Sequence, residues 1–159
     1  TLLLGFFKTQ LAPWRRKAVF ILLLLALGPG LVINILLKDQ MGRPRPRQIV
    51  EFGGPHEFTQ CWMPGNGGTN SSFPSGHAAV AFFLMAPWFV LRDKKQPYAR
   101  IFLVSGLLFG TLVGIARILQ GGHFLSDIIW SGGLLYLLGS LLGLALGVNK
   151  SSSPDCCNG

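Results

Sequence analysis

Four long segments of this chain contain almost no charged residue, and they limit its folds more than any other feature. They cover residues 18–37, 77–91, 101–116 and 128–148. A membrane-spanning helix needs about 20 apolar residues, with about 17 as the usual lower limit. The first and last segments reach that length alone, and the middle two reach it with their polar flanks. We therefore predict an all-α integral membrane helical bundle with four full spans, at about residues 18–37, 75–91, 100–117 and 126–148.

The alternative is a large soluble protein with buried helices. Four such segments in 159 residues leave too little amphipathic sequence to cover them. Only 13% of the residues are charged, whereas soluble domains carry about 25%. The opening letters TLLLGFF indicate the end of an earlier span, and no signal-peptide cleavage pattern follows them. We predict a transmembrane domain over residues 1–150, truncated at its N-terminus, and a polar tail over residues 151–159.

The basic residues are distributed in the way that sets membrane orientation. One cluster precedes the first span, one lies between the second and third spans, and Lys150 follows the fourth. These clusters share one side of a four-span bundle, and the positive-inside rule assigns that side to the cytoplasm. The net charge is +8, but the basic residues form no continuous stripe, so we expect a lipid bilayer and no nucleic acid as partner.

The loop of residues 38–75 lies on the opposite, outer side and carries basic residues against this bias. These residues are Lys38, Arg43, Arg45 and Arg47, and an anionic substrate is one explanation for them. For Arg43 and Arg47 we favour the alternative, in which the side chains reach the interface or contact lipid head groups nonspecifically. The prolines that alternate with arginine in GRPRPR make this segment stiff and extended.

The stretch FPSGHAAVAFF, residues 73–83, predicts a helix that begins at the outer surface. Ser75 is the candidate N-cap. The unpaired N–H groups of a helix N-terminus bind anions, and Gly76 would let an anion approach the backbone closely. His77, in the first turn, would face that anion. Alternatively, Ser75 only caps the helix and His77 is an interfacial residue.

The stretch ARILQGGHFLSD, residues 116–127, holds the second histidine. His123 and Asp127 are four residues apart, so on a helix the carboxylate would accept a hydrogen bond from one imidazole nitrogen. The other nitrogen would then be free as nucleophile or base. Alternatively, Asp127 is only a first-turn carboxylate favoured by the helix dipole. Two histidines with cations and a helix start suffice for phosphoryl transfer without a metal.

These motifs resemble those of the type 2 phosphatidic acid phosphatase family, membrane relatives of the vanadium haloperoxidases. The three family motifs read here KDQMGRPRP, PSGH and ARILQGGHFLSD. Ala116 stands where the family usually has serine. The resemblance implies that His123 forms a phosphohistidine, that Asp127 orients it and that His77 is the general acid. It implies that the phosphate is held by Lys38, Arg45, Ser75, Gly76 and Arg117.

The resemblance also implies the function. We expect a metal-independent phosphatase without cofactor that acts on a membrane lipid phosphate at the outer face of a bacterial inner membrane. Polyprenyl diphosphate, phosphatidylglycerol phosphate, phosphatidic acid and lipid A are the candidate substrates, and the loop after residue 51 is similar to that of lipid A phosphatase-like members. The family commonly has six spans, of which this chain would supply the last four and the end of the second. A lipid phosphotransferase and a non-catalytic lipid binder or transporter are the alternatives.

Smaller features complete the prediction. Cys61 has no cysteine on its own side of the membrane, so we expect it to be unpaired. His56 is interpreted as a surface residue. Glycines repeat every fourth residue in the third and fourth spans, which predicts that these helices approach their neighbours closely. They are Gly106, Gly110 and Gly114, and Gly139, Gly143 and Gly147.

Overall fold

The computed structural model describes residues 12–66, 71–93 and 95–148. Every regular element in these ranges is a helix, which agrees with the predicted all-α bundle. A single isolated β-bridge within them joins Ile49 to His56 in the outer loop. His56 is half-buried, so part of its surface is exposed. The predicted end of an earlier span and the polar tail lie outside the described residues.

Four helices make up the bundle. Helix α1 is α-helical over Ala12–Leu25, continues in wider π-type turns over Ala26–Leu37 and ends with Lys38–Met41. Helix α2 covers Gly76–Leu91, α3 covers Gln96–Leu119 and α4 covers Leu125–Ala145.

Three of these helices are long and apolar enough to cross a membrane. They are the part of α1 from Trp14 to Leu37, α3 and α4. The remaining predicted span, α2, is also apolar but shorter, and a tighter 3₁₀ turn interrupts it at Phe83–Met85. All four predicted segments are therefore helical, and three of them reach the length of a span.

Helix α2 lies at the centre of the bundle and supplies much of its core. Phe82, Met85 and Phe89 are buried on α2, where they pack with residues of α1 and α4 such as Phe20 and Leu135. Apolar side chains on the outer faces of α3 and α4 remain largely exposed. Such exposure is what a bilayer requires, because lipid tails are as apolar as the side chains that meet them.

The glycine repeat of α3 brings α2 and α4 close to it. A Cβ atom on Gly106 would lie 2.5 Å from the backbone nitrogen of Met85, and one on Gly110 would lie 2.1 Å from the ring of Phe82. On Gly114 it would lie 2.4 Å from Ile128 of α4. The close approach predicted for this repeat is therefore present.

The three glycines of the α4 repeat have two different roles. Gly139 and Gly143 are buried, and Gly139 packs on the ring of Phe89. Gly147 instead has a φ of 58° and lies beyond the end of the helix. Glycine is favoured there because the left-handed conformation that ends a helix strains other residues. The prediction that Gly147 belongs to the packing face was therefore wrong.

Gly106→Ala is expected to destabilise the bundle. The new methyl group would meet backbone of α2, which cannot rotate away, and overpacking of this kind costs about 1–3 kcal/mol. Gly133→Ala is the matched control, since no atom lies within 4 Å of its added Cβ. Thermal unfolding of the two variants in detergent measures the difference, and equal midpoints would contradict the close packing.

Cys61 is buried in the outer loop and is a free cysteine. The prediction that it is unpaired stays a prediction, because the other cysteines of the sequence are not among the described residues. Cys156 and Cys157 lie outside them.

Candidate active site

The predicted site residues lie at one end of the bundle. Lys38 is in the last turn of α1 and Arg117 is in the last turn of α3, while His77 is in the first turn of α2. His123 lies in the turn just before α4. Because the chain crosses in alternate directions, two helix ends and two helix starts meet here. His77 is close enough to interact electrostatically with Arg117, His123, Lys38 and Arg45.

A cavity of about 460 Å³ lies between α1, α2 and α3 at this end. Lys38, Gly76 and His77 form its polar part. Its wall continues along α2 and α3 with apolar residues that lie one or two helical turns further along these helices. These are Val80, Ala81, Phe109 and Val113, and Asn34 of α1 completes the lining.

Ser75 caps α2, as the sequence predicted. Its side-chain oxygen accepts a hydrogen bond from the backbone N–H of Ala78 at 3.4 Å. Its own N–H donates to the hydroxyl of Ser131 on α4 at 2.9 Å, and the residue is fully buried. Ser75 thus holds the start of α2 against α4, and its backbone N–H is already bonded.

His123 does not share a helical face with Asp127, because α4 begins only at Leu125. Its Nδ1 lies 2.6 Å from the backbone oxygen of Ser72, whereas the nearest carboxylate oxygen of Asp127 is 3.7 Å away. A carbonyl oxygen can only accept, so Nδ1 carries a proton, and in the neutral imidazole Nε2 then keeps its lone pair. A backbone carbonyl, and not the predicted Asp127 carboxylate, makes the orienting hydrogen bond among the described residues.

Asp127 is fully buried and has other partners. One carboxylate oxygen accepts a hydrogen bond from the backbone N–H of Phe124 at 2.8 Å, which caps the start of α4. The other forms an ion pair with the guanidinium of Arg43. The carboxylate therefore fixes the turn that contains His123, and it contacts the imidazole only at ion-pair distance.

Arg43 is buried, with 3% of its surface exposed. Besides Asp127, its guanidinium donates to the backbone oxygen of Thr59 and to the hydroxyl of Ser126. It also lies over the ring of Phe124, with the guanidinium carbon 4.2 Å from the ring centre. The interpretation of Arg43 as an interfacial, nonspecific lipid contact was wrong.

The reason lies in the backbone that precedes Arg43. Gly42, with a φ of 53°, ends α1 and turns the chain. The N–H of Arg43 then donates to the side chain of Ser71, and its carbonyl accepts from the N–H of Ser72. These bonds direct the side chain inward. Arg47 is exposed, and its backbone N–H donates to the carbonyl of Gly121.

Two further arginines lie beside the histidines. Partial burial lowers the pKa of the Arg45 guanidinium, and the neighbouring charges of Arg47 and Arg117 lower it further. Arg117 donates to the side chain of Gln120 at 2.6 Å. Its buried Nε has no hydrogen-bond partner among the described residues. Closely spaced guanidinium groups, one of them with an unbonded N–H, favour the binding of an anion.

Ala116, which departs from the family motif, is exposed on α3. It is not among the residues that line the cavity. No group of three His, Cys, Asp or Glu side chains that could bind a metal ion occurs in the part of the chain that the structure describes.

Two polar residues of the site, Ser72 and Asn34, were not predicted from the sequence. Ser72 supplies the carbonyl that orients His123, and its own hydroxyl is buried without a partner in the described structure. Asn34 lines the cavity from α1. The signal for Asn34 was in the sequence, because a polar side chain inside an apolar span marks a functional position. Ser72 acts through its backbone, so its side chain gave no signal.

Comparisons with known proteins identify the family of this chain. The model of the PAP2 superfamily matches residues 17–148. Lipid A 4'-phosphatase of Francisella tularensis subsp. novicida is 35% identical over 78% of this chain and 55% of its own length. Lipid A 4'-phosphatase of Rhizobium etli is 36% identical over 65% of this chain and 40% of its own length. Phosphatidylglycerophosphatase B of Bacillus subtilis is 30% identical over 69% of this chain and 49% of its own length.

The chain thus spans about half the length of the curated relatives it matches. No solved structure matches it. The family match covers all four helices of the bundle and every motif that forms the site. This chain belongs to the PAP2 superfamily.

Proposed function

We propose that this chain carries the active site of a membrane lipid phosphatase that works through a phosphohistidine. The observation that carries the proposal is the hydrogen bond between His123 Nδ1 and the carbonyl oxygen of Ser72. It leaves the lone pair on Nε2, and His77 and the cationic cluster of Lys38, Arg45 and Arg117 lie nearby. A neutral nucleophile beside fixed positive charges is suited to attack on a phosphate.

In the first step, His123 Nε2 attacks phosphorus, and the bond from phosphorus to the ester oxygen breaks as the N–P bond forms. His77, as imidazolium, gives its proton to the departing oxygen. The cationic cluster stabilises the charge on the oxygens that stay on phosphorus. Ser75 and Gly76 contribute by fixing the helix start from which His77 projects.

In the second step, water attacks the phosphohistidine. His77, now neutral, takes a proton from that water, the N–P bond breaks, and inorganic phosphate leaves. His123 returns to its neutral form with the proton on Nδ1. Asp127 is proposed to keep the His123 turn in place through the bond to Phe124 and the ion pair with Arg43.

The shape of the cavity supports a lipid substrate. Its polar part lies at the end of the bundle, and its apolar part, with Val80, Phe109 and Val113, continues along α2 and α3, where Val80 and Phe109 are exposed on the outside of the bundle. A phosphate bound near Lys38 and His77 would leave an attached apolar chain beside these residues. The names of the relatives make a lipid A phosphate the first candidate substrate and phosphatidylglycerol phosphate the second.

We propose that the site faces outward from a bacterial inner membrane, because the positive-inside pattern assigns the basic loops to the cytoplasm. The relatives named for lipid A support a location where that lipid is accessible.

The decisive experiment measures inorganic phosphate released by the purified protein from lipid A, phosphatidylglycerol phosphate, phosphatidic acid and undecaprenyl diphosphate. Release from at least one lipid is expected, and a chelator should leave the rate unchanged. Mass spectrometry of the lipids identifies any phosphorylated acceptor, which would indicate phosphotransfer instead of hydrolysis. Absence of both release and transfer would support a lipid binder and reject the enzyme.

A further inference from the structure

Asn34 is a polar residue near the end of the apolar part of α1, one turn before Lys38. Its side-chain Nδ2 donates to the backbone oxygen of Pro29 at 2.6 Å. Since that oxygen can only accept, the amide has one orientation, with Nδ2 on Pro29 and Oδ1 at the other end. An amide inside a span is costly unless it is bonded, so this hydrogen bond holds the side chain firmly.

The free end of this amide lies against the first residue of α2. A Cβ atom on Gly76 would be 2.4 Å from Asn34 Oδ1 and 3.2 Å from Asn34 Cγ. Real Cβ atoms are not found so close to an oxygen, so with a larger residue at position 76 either the two helices must separate or the Asn34 carboxamide must leave its hydrogen bond to Pro29. That hydrogen bond opposes the movement of the carboxamide, so the Asn34–Gly76 contact acts as a spacer between the two helices.

The spacer lies directly beside the reactive groups. His77 follows Gly76 in α2, and Lys38 lies one turn after Asn34 in α1. All four residues line the same cavity, with Lys38 on one wall and His77 on the other. A change in the gap between the helices at Asn34 must therefore change the distance between the Lys38 ammonium and the His77 imidazole.

We propose that Asn34 is a positioning residue that sets the distance between Lys38 and His77, and this inference rests on the proposed phosphatase function. Asn34 acts through these two residues and takes no part in bond making. Glycine is then favoured at position 76 for two reasons. Besides the approach of an anion to the backbone that the sequence predicts, Gly76 leaves room for the carboxamide of Asn34.

The test is a double-mutant cycle with Asn34→Ala, Gly76→Ala and the double variant, assayed with dioctanoyl phosphatidic acid. Asn34→Ala is expected to lower kcat/KM by about 10-fold to 100-fold, because a misplacement near 1 Å can cost about 100-fold. Gly76→Ala should lower kcat/KM further, since its methyl group would overlap the side-chain amide of Asn34. The double variant should recover at least ~10-fold over Gly76→Ala, because removal of the carboxamide frees the space.

Gly133→Ala is the control for a glycine-to-alanine change in a span, because its added Cβ meets nothing within 4 Å. It should keep the parent kcat and KM. A merely structural role of Asn34 would reduce the amount of folded protein while kcat and KM per folded molecule stayed constant. A double variant no more active than Gly76→Ala, or losses that simply multiply, would overturn the positioning role.

Vanadate binding, measured by calorimetry, provides a readout that does not need turnover. Asn34→Ala should weaken vanadate binding, and the double variant should bind more tightly than Gly76→Ala. A parent protein that binds vanadate with this pattern but releases no phosphate would reject the proposed function and keep the positioning role. If the parent protein is active but the double variant recovers neither kcat/KM nor vanadate binding relative to Gly76→Ala, only the positioning role is rejected.

Discussion

Replacement of His123 by alanine is expected to lower phosphate release on the order of 10⁴-fold or more, as the loss of a catalytic nucleophile does in other enzymes. The imidazole is buried, and its Nδ1 proton is held by the carbonyl of Ser72. Without Nε2 no covalent intermediate forms, whatever the leaving group. The loss should therefore be as large for p-nitrophenyl phosphate as for a lipid phosphate.

His77→Asn should behave differently, because a general acid matters only for a leaving group that needs a proton. Loss of an acid costs about 10²–10⁴-fold, and this loss is expected with dioctanoyl phosphatidic acid. With p-nitrophenyl phosphate the loss of kcat/KM, which reports the steps up to departure of the leaving group, should be much smaller, since p-nitrophenolate leaves without protonation. Comparison of kcat/KM for the two substrates separates the roles of the two histidines, because hydrolysis of the phosphohistidine, in which His77 is the base, does not enter it.

The intermediate can be examined directly. The parent protein, mixed with ³²P-labelled substrate and quenched in base, should carry label that is stable to base and lost in acid, as phosphohistidine is. His123→Ala should carry none. Equal leaving-group dependence in the two histidine variants, or label retained in His123→Ala, would contradict the assigned roles.

The parts of this site that depend on local sequence were predictable. Ser75 is followed by an apolar run and preceded by proline, and it does cap α2. The glycine spacing of α3 indicated close packing because each glycine repeats on one helical face, and Gly106 does meet the backbone of Met85. In both cases the deciding contact is set by residues within a few positions or by a regular helical period.

The orientation of His123 was not predictable from its spacing to Asp127. The argument for a shared face holds only if both residues are inside one helix, and α4 begins two residues after His123. The carbonyl that takes the place of the carboxylate belongs to Ser72, which is 51 positions away. Which backbone group lies beside a side chain depends on tertiary packing, and the sequence carries no local signal for it.

The same limit applies to the arginines of GRPRPR. Arg43 and Arg45 are separated by one proline, yet Arg43 is buried against Asp127 while Arg45 remains half-buried beside Arg117. The difference follows from Gly42, whose left-handed φ turns the chain, and from the bonds of Arg43 to Ser71 and Ser72. Composition and charge could place these arginines in the outer loop but could not tell which one points inward.

Removal of Arg43 is expected to have the largest effect on stability. Arg43→Met leaves the carboxylate of Asp127 buried without its counter-ion, and breaking a buried pair in this way costs about 3–5 kcal/mol. Arg43→Lys keeps the charge but cannot reach Thr59, Ser126 and Asp127 together, because a lysine lacks the planar fork of donors. We therefore expect an intermediate loss for the lysine variant, measured by thermal unfolding in detergent.

Two further variants make this prediction specific to the ion pair. Arg43→Met combined with Asp127→Asn removes both charges, so the double variant should regain much of the stability that Arg43→Met loses, because neither partner is left as an unpaired buried ion. Arg47→Ala, on the exposed arginine of the same segment, should change stability by no more than about 0.5 kcal/mol. If Arg43→Met and Arg47→Ala unfolded at the same temperature, Arg43 would have no structural role. If the double variant were less stable than Arg43→Met, the hydrogen bond from Phe124 to the Asp127 carboxylate, and not the ion pair, would be what holds the His123 turn in place.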